Sequence, residues 1–108
     1  MKFKIAILQM KSIKQQYQEN TDIVIEKMTE AAKNGSDILL LPEAFLTGYN
    51  LPVSNKEAIA DNSIYLTQIC EAAQRSKIGV IATAFTNGKE KPQNSAIVID
   101  KKGNVLMK

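Results

Sequence analysis

Apolar residues follow two different spacings along this chain. The aliphatic run at residues 38–41 reads as a strand buried on both faces, and Phe3 to Met10, with its nearly continuous apolar centre, and Val80 to Phe85 read as further strands. Between them the spacing turns helical. Val24, Met28 and Ala31 share one stripe, with Ile25 and Ala32 beside it, which predicts a helix ending near Asn34. Asn20 or Thr21 is the expected N-cap and residues 11–19 the loop before it. Asp22 and Lys33 suit the helix dipole, and Gly35 is a natural C′ residue. Leu66, Ile69, Cys70 and Ala73 define a second helix from about Ser63 to Lys77, with Asn62 as its cap. The connection 44–61 holds Gly48, Asn50, Pro52 and Asn55, with room for a helical turn at 56–60. After a polar turn at 86–92, a strand from Ser95 to Ile99 runs into Asp100-Lys101-Lys102-Gly103 and a last strand from Asn104. Gly103 supplies the positive φ of that hairpin turn. The order βαβαβββ predicts an α/β fold. Its mixed sheet has helix-linked parallel strands and an antiparallel edge, within a single domain over residues 1–108.

Composition narrows the function classes. With 44% hydrophobic and 23% charged residues, 108 residues are enough for one core. The net charge of +3 is accounted for by residues 88–108, where Lys89, Lys91, Lys101, Lys102 and Lys108 stand against Glu90 and Asp100; four of those lysines flank likely turns, and they form no stripe. No aromatic residues interleave with them, so a nucleic-acid partner is not expected. No apolar run is long enough for a membrane span or a signal-peptide core. One cysteine, Cys70, precludes an internal disulfide, and the lack of histidine argues against a zinc site. A cytoplasmic, metal-free and cofactor-free protein is the expectation.

The most informative residue is Glu43. Pro42 lacks an N–H and ends the strand 38–41. A carboxylate follows at the strand's C-terminal end, where open α/β sheets place their ligand crevices. A surface acid is the bland alternative; a catalytic group is the sharper one. Cys70 sits on the apolar stripe of the second helix and reads as a small core hydrophobe. Tyr49 lines a pocket or packs the loop after the acid. Asn94 braces that loop or merely begins a strand. Phe45 and Phe85 read as core residues. Gly48 marks a backbone conformation that needs no Cβ.

Taken in order, these segments resemble the nitrilase, or carbon–nitrogen hydrolase, superfamily. Lys4-Ile5-Ala6-Ile7-Leu8-Gln9-Met10 is similar to the first strand of that family. Leu41-Pro42-Glu43 with Thr47-Gly48-Tyr49 is similar to its glutamate motif. Pro92-Gln93-Asn94-Ser95-Ala96, followed by Asp100-Lys101-Lys102-Gly103, resembles the hairpin before its catalytic lysine. The resemblance spans all 108 residues and implies the N-terminal part of a four-layer αββα sandwich, truncated with respect to a complete member. It implies a Glu–Lys–Cys triad cleaving a non-peptide C–N bond of a small amide or nitrile, an activity of nitrogen compound metabolism. Glu43 would be the general base, the one triad member supplied here. Lys108 corresponds to a lysine just ahead of the catalytic one, and Cys70 is not the nucleophile, so residues 1–108 alone are expected to be inactive.

Two rival readings remain open at the level of the residues. A small α/β ligand-binding module would share the alternation of strands and helices, without using Pro42-Glu43. A non-catalytic assembly fragment would act through an uncovered sheet face, and a homo-oligomer is expected on similar grounds.

Overall fold

The structure, a computed structural model, describes residues 2–49 and 54–108. Asn50 and Pro52 of the long connection therefore lie outside the described residues. Seven elements follow in the expected order: β1 Ile5–Ile7, α1 Tyr17–Lys33, β2 Ile38–Leu40, α2 Ile64–Ser76, β3 Gly79–Thr86, β4 Gln93–Ile99 and β5 Val105–Met107. They form one five-stranded sheet in the order β1-β2-β3-β4-β5. β1, β2 and β3 are parallel, while β4 and β5 are antiparallel additions. The mixed sheet with an antiparallel edge is thus the observed architecture.

Two helix boundaries depart from the expected ones. α1 starts at Tyr17, with Gln16 in the cap position and no side-chain cap. Asn20 and Thr21 lie inside the helix and are wholly buried. The Asn20 side chain is committed elsewhere: Oδ1 accepts from Ile13 N at 2.8 Å, and Nδ2 donates to Ile13 O at 2.6 Å and Leu46 O at 3.2 Å. The second helix is capped by Ser63, whose Oγ accepts from Leu66 N at 3.2 Å, and not by Asn62. Residues 55–57 form a turn rather than a helical segment, and Ile59 bridges to Thr86. Gly35 does follow α1 with φ +82°; its N–H donates to Ala32 O and that of Ser36 to Ala31 O.

α1 and α2 pack against each other on one side of the sheet. Val24, Met28, Leu66, Ile69 and Ala73 meet Leu39, Val80, Ala82, Ala84, Ile97 and Ile99 in a single core. Alternate strand residues point the other way. Paired register puts Ile7, Leu40, Ile81 and Val98 in one row across four strands, with Ile5 and Ile38 in the next. Ile5 and Ile7 are 56% and 64% exposed, and Ile38, Leu40, Ile81 and Val98 are half-buried. The helices therefore leave one apolar sheet face open. Among the described residues no helix is long and apolar enough to cross a membrane.

Candidate active site

β2 ends at Leu40 and the chain turns sharply through Pro42 to Gly48. Ala44 adopts a left-handed conformation at φ +51° while completely buried. A non-glycine residue there is strained and persists only where its surroundings hold it. The holding groups come from β3. Thr83 Oγ1 donates to Pro42 O and accepts from Phe45 N at 3.0 Å, and Thr83 O accepts from Leu46 N at 3.0 Å. Thr47 Oγ1 accepts from Phe85 N at 3.1 Å. The turn thereby folds over the C-terminal end of the sheet, and Phe45 and Leu46 sink into the core.

Glu43 stands at the outside of this turn, exposed. Its Oε1 accepts from Asn94 Nδ2. Asn94 pairs with Phe85, and Thr83 with Ala96. Directly opposed residues share a face, so Asn94, Ala96, Thr83 and Phe85 lie on the face the helices leave open. The arrangement brings together a carboxylate, an amide donor that orients it, and the open end of a parallel sheet. A carboxylate so exposed and oriented can accept a proton from an incoming group.

A second network steadies the turn from outside. Gly48 has φ +85°, and a Cβ there would come within 2.9 Å of Lys14 Cα. Gln15, also left-handed at φ +58°, donates its N–H to Thr47 O at 3.1 Å. Its side-chain amide donates to Glu57, and Tyr17 donates to Glu57 O at 2.7 Å. Hydrogen bonds from the Ser54 backbone and hydroxyl, then from Gln15, hold the Glu57 carboxyl below the usual range. Burial, then the Glu57 charge, raises Tyr17.

The other candidates separate cleanly. Tyr49 is 58% exposed and leans on Phe85, ring centroids 6.0 Å apart. Lys108 Nζ pairs with Asp61 Oδ1 at 2.7 Å. Cys70 is half-buried against the core. A Cβ on Gly103 would touch Cys70 O, which puts this helix turn beside the β4–β5 turn. β4 carries Asn94 near its other end, about 17 Å away along the strand. Burial, then Asp100 and Glu71, pushes the Cys70 thiol up, which disfavours the nucleophilic thiolate. Thr83 was not singled out by sequence, and Asn20 was read only as a helix cap and Thr47 only as part of the motif after the acid, since the partners of each are distant in the chain. Two surface hollows, one along β1 and α1 and one around Lys2, Phe3, Ile38, Val98 and Leu106, do not include Glu43. Among the described residues no cluster of His, Cys, Asp or Glu is arranged to hold a metal ion.

Comparison with known proteins bears on the family and the fold. The profile of the family described as carbon–nitrogen hydrolase matches residues 4–108. A hydrolase of Schizosaccharomyces pombe is 30% identical over 107 residues, covering 96% of this chain and 33% of that protein. Nitrilase homolog 2 of Dictyostelium discoideum is 28% identical over 94 residues, covering 84% of this chain and 29% of that protein. The chain therefore spans about a third of the length of these relatives. Among solved structures, an amidase from Nesterenkonia sp. superposes with a TM-score of 0.79 at 23% identity, covering 97% of this chain and 41% of that one. A mutant of the amidase from Nesterenkonia sp. AN1 in complex with butyramide gives 0.78 at 23% identity, covering 96% and 41%. At that identity the likeness is one of fold.

Proposed function

This chain belongs to the carbon–nitrogen hydrolase family, and we propose on that footing that Glu43 is the general base of an enzyme cleaving a non-peptide C–N bond. The substrate class is a small amide in preference to a nitrile, which accords with the amidases among the fold neighbours. The supporting observation is the Glu43 carboxylate, held by Asn94 at the C-terminal end of β2 on the open sheet face.

In this reading Glu43 takes the proton from a cysteine thiol as the sulfur attacks the substrate carbon. The amine leaves with a proton, giving a thioester. Glu43 then takes a proton from water as it attacks that thioester, releasing the acid and the thiol. A lysine stabilises the negative charge on the substrate oxygen or nitrogen during attack. The thiol and the lysine come from outside these 108 residues, since Cys70 is remote from Glu43 and Lys108 is paired with Asp61. Tyr49, beside the turn, is the proposed substrate contact, and Asn94 braces the base. The enzyme works without a metal or organic cofactor, as a homo-oligomer in the cytoplasm.

The test is Glu43→Gln in the protein that carries the thiol and the lysine. Loss of a general base lowers kcat/KM by about 10²–10⁴. Serving both half-reactions puts Glu43 at the upper end. The thermal melt should hardly move, because the carboxylate is exposed and glutamine keeps an acceptor for Asn94. A variant retaining more than about a tenth of wild-type activity would remove Glu43 from this role. Residues 1–108 alone should turn over no amide or nitrile; activity there that vanished in Cys70→Ser would overturn the assignment of the thiol.

A further inference from the structure

We propose that Thr83 is a positioning residue for Glu43, setting the direction of its carboxylate through the turn it pins. This inference deepens the reading of Glu43 as base and rests on it. Thr83 is 7% exposed on β3 and makes three hydrogen bonds to residues on both sides of Glu43. Its hydroxyl proton goes to Pro42 O, immediately before the acid. The hydroxyl oxygen receives Phe45 N–H two residues after it, and its carbonyl receives Leu46 N–H. Between the two hydroxyl bonds lie only Glu43 and the left-handed Ala44.

One small side chain thus closes both flanks of the strained turn. A hydroxyl is the group this needs, since it donates and accepts at once. Valine has the same shape and does neither, so Pro42 O and the buried Phe45 N–H would both lose their partner. The turn would relieve the left-handed strain at Ala44, and Glu43 would swing from Asn94, which stays fixed on β4. Thr83 never touches a substrate in this scheme. Its effect reaches the reaction through the aim of one carboxylate, where a displacement of about 1 Å lowers rate on the order of 100-fold.

The experiment compares Thr83→Val, Thr83→Ala and Thr83→Ser. The first readout is the Asn94 side-chain amide resonance in the asparagine-labelled enzyme that carries the thiol, which reports its bond to Glu43 whether or not Glu43 is a base. The second is kcat and KM in the enzyme that carries the thiol. Valine should shift the Asn94 resonance and lower kcat about 10-fold to 100-fold with little change in KM. Serine, which keeps the hydroxyl, should restore both. If Thr83→Val fails to fold, Thr83→Ala gives the same readouts without added bulk. A folded Val or Ala variant with the wild-type Asn94 resonance overturns the proposal, and so does a serine variant as impaired as valine. A shifted resonance rescued by serine, without loss of turnover, would keep the positioning role and retire Glu43 as base.

Discussion

At the residue scale, the turn after β2 carries the proposed base, and its supports are measurable one by one. Thr47 is 4% exposed and its hydroxyl accepts from Phe85 N. Thr47→Val leaves that buried N–H without a partner, so unfolding free energy should fall by about 1–3 kcal/mol in a urea titration. A loss below about 0.5 kcal/mol would show that the N–H finds another acceptor. Cys70 gives a prediction of opposite character. Its thiol is pushed up by burial, then by Asp100 and Glu71. The folded state therefore holds the proton more tightly than the unfolded one. That contribution to stability is complete below the thiol's ordinary range, near 8.5, and is lost as pH rises through the folded value. The urea midpoint should fall more steeply above about pH 9 than it does in Cys70→Ser. Equal slopes in the two proteins would remove the thiol from the alkaline transition. The position of Glu43 just past a strand end was legible because Pro42 and the aliphatic run announce that end. The roles of Thr83 and Asn20 were not, because nothing near them in sequence shows which distant backbone groups they satisfy.

At the element scale, periodicity located both helices and the parallel strands, and capping residues misplaced the helix starts. Asn20 and Thr21 have good capping side chains, yet tertiary demand puts them inside α1: Asn20 is consumed by Ile13 and Leu46. At α2 the error is a single residue, Ser63 for Asn62. The β4–β5 turn was read correctly and carries its own test. Asp100 Oδ1 accepts from Asn104 N and Lys102 N, both at 2.9 Å. The bond from Asn104 N, ahead of those from Lys102 N and the Asn104 side chain, keeps the Asp100 carboxyl below its ordinary range. A depressed value in the folded state stabilises above the unfolded value and is lost as pH falls through the folded one. Asp100→Ala should therefore unfold with a shallower acid dependence below about pH 4 than wild type. Identical acid limbs would show that the turn survives without its carboxylate. Gly103→Ala should cost about 1–2 kcal/mol for φ +85° alone, and more because its Cβ would lie 2.6 Å from Cys70 O.

At the scale of the whole molecule, the open sheet face dominates. The strand order and the half-covered sheet follow from the alternation of elements, since both crossover helices lie on one side. Ile5 and Ile7 on that face, and Val105, Leu106 and Met107 on the edge strand, are each more than half exposed. Apolar surface of this kind beside an unpaired edge favours association. Residues 1–108 in isolation should sediment as a concentration-dependent mixture and bind a hydrophobic dye. A strict monomer at high micromolar concentration that ignores the dye would show that the face is not sticky. The sheet has a further property. Each strand lies beside its sequence neighbours, without a strand inserted from elsewhere. Loop closures stay short, and little chain must be held in reserve before a pairing forms. On the ribosome, β1, α1 and β2 can join as soon as they emerge, and every later strand docks on an edge already made. The geometry that presents Glu43 can thus be assembled vectorially, in the order in which the chain is synthesised.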